Sequence, residues 1–105
     1  MIRLVYASQL LPTTTDRVID EIVARAAAFN QSQGITGLLA VENGKVCQAL
    51  EGDAARVDSL YEAIRRDPRH HGVLLMDRRD ISGQHFNAWG MRRGEMLWLV
   101  DMALA

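Results

Sequence analysis

The chain is short of almost everything that would announce a function. It has one cysteine, Cys47, in 105 residues. An internal disulfide framework is therefore excluded, and a lone thiol fits a reducing cytoplasm. Charge of one sign is missing too. The formal net charge is −1, which leaves no whole-chain electrostatic case for nucleic acid or a membrane surface. No apolar run approaches the roughly 20 residues needed to span a bilayer. No basic segment leading into an apolar one opens the chain, so secretion is not expected. Internal repeats and low-complexity tracts are absent. What is left is one domain's length of chain, enough for a core despite an unfavourable surface-to-volume ratio. The expectation is a cytoplasmic domain with no membrane partner and no direct nucleic-acid binding.

There are only two prolines, Pro12 and Pro68, and both fall where the pattern breaks. Ile2 to Ala7 reads as a strand that Leu11-Pro12 interrupts. Thr13 and Asp16 have capping-box spacing ahead of a helix reaching about Asn30. Val18, Ile19, Ile22, Val23, Ala26 and Ala27 recur there at helical spacing, and Gly34 suits the end of that helix. Ile35 to Val41 is a near-continuous apolar run. Asn43-Gly44 signals a hairpin, and Lys45 to Leu50 returns as its second strand. Asp53 is placed to cap a second helix whose stripe is Val57, Leu60, Tyr61 and Ile64, and Asp67-Pro68 closes it. Val73 to Asp77 reads as a fourth strand and roughly Phe86 to Arg92 as a fifth. The predicted class is α+β, a ferredoxin-like β-α-β-β-α-β-β order. It gives a five-stranded mixed sheet with both helices on one face.

The informative residues are polar groups at apolar positions. Val46, Gln48 and Leu50 share one strand face, because strand side chains alternate. An unpaired buried amide costs roughly 1–3 kcal/mol, so Gln48 either bonds backbone or is placed to meet something polar. Tyr6 shares a face with Ile2 and Leu4, and a buried Tyr hydroxyl usually finds a partner. It either fills volume or, if the strands are neighbours, reaches Gln48. Asn30 ends the first helix, where Asn is also common for local reasons. Together the three would make an uncharged polar pocket, suited to a planar heteroaromatic ligand with amide-like edges. They suit no metal, and they offer no nucleophile with a base.

These residues fall within motifs that resemble one family. Leu4-Val5-Tyr6-Ala7-Ser8 resembles the first strand of BLUF domains, which are flavin-binding blue-light sensors. Asn30, then Gly34-Ile35-Thr36-Gly37-Leu38-Leu39, resembles their central motif, and Gln48-Ala49-Leu50-Glu51-Gly52 their third strand. Leu60-Tyr61 with Ile64 and Asp67-Pro68-Arg69-His70 resemble the second helix and following loop. Phe86, Trp89 and Met91 resemble the fifth-strand Phe-x-x-Trp-Ser-Met. The five motifs run from about residue 3 to residue 92, in the family's order and spacing.

The resemblance implies a domain over residues 1–93 with a flavin between the two helices, FAD or alternatively FMN. It implies that Tyr6 is the light-driven electron and proton donor. Gln48 becomes the hydrogen-bond switch between Tyr6 and the flavin, and Asn30 holds the pyrimidine end of the ring. Trp89 and Met91 pass the change to the fifth strand. Ile22 and Ile64 are expected to line the flavin, with Arg69 and His70 serving its phosphates. The implied protein is a photosensor and not an enzyme, acting on a downstream protein partner. Three positions depart from the family: Gly90 stands where Ser is usual, Ala63 where some members carry Arg, and Cys47 where a bulky apolar residue is usual.

Other readings compete. A flavin-free ferredoxin-like interaction domain would have the same pattern. An acylphosphatase-like enzyme would need a phosphate-cradling loop after the first strand, and Arg3 lies inside the strand with no Gly-rich loop following. His70-His71 do not make a metal site, since adjacent residues rarely point at one ion. Arg65-Arg66, Arg78-Arg79 and Arg92-Arg93 read as solvated surface or phosphate-facing residues, Cys47 as a small core residue, and Glu51, Asp53 and Asp67 as caps and turn residues. The last segment, residues 94–105, is apolar and expected to be helical in part, but too short to cover a sheet face bearing Val5, Ala7, Cys47 and Ala49. Such a patch would favour a homo-oligomer or partner docking near Trp98.

Overall fold

The computed structural model describes residues 1–86, 92–93 and 95–104. The order is β1 (Ile2–Leu10), α1 (Asp16–Ser32), β2 (Thr36–Glu42), β3 (Lys45–Gly52), α2 (Ala54–Arg65), β4 (His70–Asp80), β5 (Arg92–Arg93) and α3 (Met96–Leu104). The class is α+β, as expected. The body of the sheet is four antiparallel strands in the order β4-β1-β3-β2, and the two residues of β5 run parallel to β2 at its edge. Of the fifth strand expected over Phe86–Arg92, residues 87–91 lie outside the described residues, Trp89 and Met91 among them. Phe86 itself sits in a bend and not in a strand.

Both faces of the sheet are covered. Ile2, Leu4, Tyr6, Leu39, Val46 and Leu50 face α1 and α2, where Ile19, Val57 and Tyr61 meet them. Val5, Leu38, Ala40, Cys47 and Ala49 face the other way, against Phe86 and Leu99 of α3, with Met96 and Val100 partly buried beside them. That explains the near-continuous apolar runs of β1 to β3, since a strand buried on both faces loses its polar alternation. It also corrects the expectation of an open face. Leu99 is fully buried there, so nine helical residues suffice to seat on small side chains such as Ala40, Cys47 and Ala49. Of the four residues expected to be open, Ala7 alone stays half-buried, opposite the exposed Leu74 of β4.

Several boundaries move. β1 runs to Leu10 and β4 spans His70–Asp80. β4 is an edge strand whose residues are all exposed or half-exposed, so the polar residues at its two ends concealed its extent beyond Val73–Asp77. The α1 cap is Thr15 and not Thr13: its hydroxyl oxygen accepts from the Val18 N–H at 3.3 Å. Thr13 is used up in the Leu11–Thr14 turn. Val18 is exposed and belongs to no buried stripe. Asn43 (φ 53°) and Gly44 (φ 76°) make the expected hairpin turn, both with positive φ.

Glu51 is a correction of another kind. It is fully buried and directly opposite Arg3 across β1 and β3. Arg3 Nε donates to Glu51 Oε2 at 2.9 Å, and Glu51 Oε1 accepts from the backbone N–H groups of His85 and Phe86. The Gln84 side-chain amide adds bonds to Gly34 O, Thr36 Oγ1 and Glu51 O, each within 3.2 Å. Residues 84–86 are thereby latched across the ends of β2 and β3.

The end of α1 sets up the site. Gly34 adopts φ 67°, the Ile35 N–H donates to Asn30 O at 2.9 Å and the Gly34 N–H to Gln31 O at 3.2 Å. This is a Schellman termination, and it fixes the backbone of Asn30 in the last turn. A methyl group at residue 34 would touch nothing within 4 Å, so its cost is conformational alone. Gly34→Ala is expected to lose about 1–2 kcal/mol in urea unfolding, from the left-handed φ, and Gly34→Asn noticeably less. A Gly34→Ala protein as stable as the parent would contradict this account of the helix end.

Candidate functional site

Between α1 and α2, over the β1–β3 face, lies a cleft of about 400 Å³, within the ~300–1,000 Å³ range of small-molecule sites. Ile19, Ile22, Val23 and Ala26 of α1 wall one side, Leu60 and Ile64 of α2 the other, and Leu39, Val41 and Val46 form the floor. Tyr6, Asn30, Gln48, Arg69 and His70 line the same cleft. Every sequence-predicted site residue within the described part is therefore brought together here; Trp89 and Met91 lie outside that part.

Tyr6 and Gln48 are directly opposite each other on β1 and β3, and opposed residues share a face. The Tyr6 hydroxyl donates to Gln48 Oε1. Both side chains are buried. Burial is the chief cause that pushes the Tyr6 phenol far above its ordinary value, with smaller contributions from Cys47, Tyr61 and Asp67. The phenol thus keeps its proton at any physiological pH. Its ring is held by Tyr61 at 5.7 Å, tilted by 50°, and by the edge of His70 at 6.3 Å.

His70 is committed within the protein. Its Nε2 lies 2.6 Å from Ile64 O and its Nδ1 2.8 Å from Ser8 Oγ. A carbonyl only accepts, so Nε2 carries the hydrogen, and in the neutral ring Nδ1 accepts from the Ser8 hydroxyl. Ser8 is buried and does not line the cleft, so this hydroxyl–imidazole pair serves as a brace and not as a nucleophile with its base. Arg69 is committed too: its guanidinium grips both Asp67 oxygens, with Nε 2.9 Å from each. Hydrogen bonds from the Arg69 side chain hold the Asp67 carboxyl below the usual carboxylate range. Asp67, read as a turn residue, is therefore also part of the cleft wall.

Sequence reading missed Arg25 and Phe29, which line the cleft mouth. Ile22, Ala26 and Phe29 follow each other at spacings of four and three, one stripe of a helix, and that signal was available. Cys47 is a buried thiol whose pKa burial pushes up, as a small core residue should be. Among the described residues no group of three His, Cys, Asp or Glu side chains could hold a metal, and no helix is long and apolar enough to cross a membrane.

Set against known proteins, residues 1–92 match the family profile described as "BLUF: Sensors of blue-light using FAD". The "Blue light- and temperature-regulated antirepressor BluF" of Escherichia coli K12 is 32% identical over 71 residues, which is 68% of this chain and 18% of that protein. The "Photoactivated adenylate cyclase subunit beta" of Euglena gracilis is 40% identical over 73 residues, 70% of this chain and 8% of that one. The chain thus spans under a fifth of either relative's length. Among solved structures, "Klebsiella pneumoniae BlrP1 with FMN and cyclic diGMP, no metal ions" superposes with a TM-score of 0.84 at 30% identity, covering 98% of this chain and 29% of that one.

The buried phenol makes a prediction about alkaline stability. Its folded pKa lies above the unfolded value of about 10. Its contribution is complete below that value and lost as pH rises toward the folded one, because only the unfolded state releases the proton. Between pH 10 and 11.5 the parent should lose stability faster than Tyr6→Phe, by up to about 1.4 kcal/mol per pH unit. Urea unfolding of both proteins across that range measures it, and equal slopes would count against a buried, protonated Tyr6.

Proposed function

The chain belongs to the BLUF family of flavin-binding blue-light sensors, and from that premise we propose that its photochemistry runs through Tyr6 and Gln48. The observation that carries the reading is the hydrogen bond from the Tyr6 hydroxyl to Gln48 Oε1 at the floor of an apolar cleft. The residues fit a flavin: apolar walls suit the faces of a planar ring, and the uncharged amides of Asn30 and Gln48 suit its polar edge. We take FAD as the flavin and the five-stranded ferredoxin-like plan as the scaffold, which the parallel pairing of Arg92 and Arg93 with β2 supports.

The flavin, when bound, supplies blue-light absorption and an excited state able to accept an electron. Asn30, with its backbone fixed by the Schellman turn, would hold the pyrimidine edge. Ile22 of α1 and Ile64 of α2 line the cleft and would pack on the ring faces. Tyr6 would be the donor of an electron and of its hydroxyl proton to the excited ring, and would recover both on charge recombination. Gln48, which accepts from the Tyr6 hydroxyl, would be the group that joins the donor to the ring's polar edge. A carboxamide both donates and accepts, so its rotation or tautomerisation reverses the hydrogen-bond chain without breaking a covalent bond. Trp89 and Met91 carry that change onward. The domain is sensory and carries no catalysis of its own; its output is contact with a partner protein. In the Klebsiella, E. coli and Euglena relatives the matched region is a minor part of a longer chain, which supports an effector as the receiver.

Gln48→Leu tests the switch, since Leu keeps most of the volume but neither donates nor accepts. Flavin should stay bound, about three- to tenfold more weakly for the loss of one hydrogen bond, while the blue-light-induced absorption shift disappears. Tyr6→Phe should keep the flavin and lose the photoreaction. A Gln48→Leu protein with the parent's light-induced shift would overturn the assignment.

A further inference from the structure

Resting on the flavin reading above, we propose that Arg25 is the residue that selects a phosphorylated flavin, by holding the phosphate nearest the ring. Four side chains with formal or potential charge line the cleft besides Tyr6: Arg25, Asp67, Arg69 and His70. Three are already engaged. Arg69 is clamped on Asp67, and the pair is formally neutral. A phosphate approaching Arg69 also meets two carboxylate oxygens. Both ring nitrogens of His70 are bonded to Ser8 and Ile64.

Arg25 differs. It makes no hydrogen bond or ion pair with any described residue. The acid one turn before it, Glu21, faces Arg17 at 3.6 Å instead. Across the cleft, α2 presents Ala63, a methyl group with no competing charge. Among the described residues that line the cleft, Arg25 is therefore the uncommitted cation.

Its place on α1 fits the task. Asn30 is almost fully buried, and Arg25, five residues earlier, is exposed. Both residues line the cleft, and five residues separate them by about 7.5 Å along the helix axis, with Asn30 at the buried end and Arg25 at the mouth. A ring whose amide-like edge is held at Asn30 would have the cleft mouth, and Arg25 with it, as the exit for its sugar-alcohol chain. A guanidinium there meets the first phosphate with paired N–H groups in a geometry matched to its oxygens. Riboflavin, which ends in a hydroxyl, gains nothing comparable. The site then distinguishes FMN and FAD from riboflavin at the tail and not at the ring.

The test is competition binding of riboflavin, FMN and FAD to the full chain, with flavin fluorescence as the signal. The parent should prefer FMN over riboflavin by about tenfold or more, the scale of a charge-assisted hydrogen-bond pair, and the preference should shrink as salt rises. In Arg25→Gln the FMN-to-riboflavin ratio should collapse to within about threefold and lose its salt dependence, the step from a charge-assisted to a neutral hydrogen bond; Arg25→Lys should recover part of it. An unchanged ratio in Arg25→Gln would overturn the proposal and leave the flavin reading standing. So would a parallel fall in affinity for both flavins, which marks a structural role. A parent chain that binds none of the three flavins would instead sink the flavin reading itself.

Discussion

The hydrogen bond between Tyr6 and Gln48 depends on one register, that of β1 on β3. Slide one strand by a single residue and Gln48 turns to the α3 face, because side chains alternate with period two. The structure holds that register with a second pair on the same two strands. Arg3 and Glu51 are opposed three residues away, on the other face of the sheet. Their charges are buried, and separating such a pair leaves an uncompensated charge at a cost of roughly 3–5 kcal/mol. A slipped register would strand both. The hairpin at Asn43-Gly44 fixes β3 on β2 in the same way, by a turn that tolerates only its own pairing of Glu42 with Lys45.

β3 is therefore the element that two regions share. Through Gln48 it touches the cleft between the helices, and through Glu51 it receives the latch of residues 84–86. Those residues lead directly into 87–91 and the pairing of Arg92 and Arg93 with β2. The two contacts lie on opposite faces of one strand only three residues apart. Gln48 on the cleft side and Glu51 at the latch thus share one short stretch of β3.

The parts of this site that were legible in the sequence were those that violated a pattern. Gln48 and Tyr6 stand on apolar faces, Asn30 precedes a helix-ending Gly, and the register makes all three converge. The parts that were not legible obey a pattern that means something else. Glu51, next to Gly52 and Asp53, looks like a solvated turn residue, and nothing local says that Arg3 lies opposite. Arg25 looks like any charged position on an amphipathic helix, since a cleft mouth and bulk water ask the same of a side chain. Thr13 has the capping-box spacing, but the Leu11–Thr14 turn takes it up and the cap falls to Thr15. The covering of the second face by α3 was missed because a short apolar helix carries no record of where it docks; the small side chains of Ala40, Cys47 and Ala49 make that docking feasible.

The chemistry of the cleft also explains why its interior is neutral and its mouth charged. A buried carboxylate at position 48 would be driven toward its protonated form by desolvation, and its two states would differ by a charge that the apolar walls of α1 and α2 cannot solvate. A carboxamide has two orientations of equal charge, so switching between them carries no desolvation cost and is decided by hydrogen bonds alone. The same walls raise the Tyr6 pKa and keep its proton in place in the dark. Arg25 and the Asp67–Arg69 pair sit where water screens them. The burial that makes Tyr6 a reluctant acid thus also favours an uncharged partner at position 48, and both follow from placing two polar side chains on the inner face of adjacent strands.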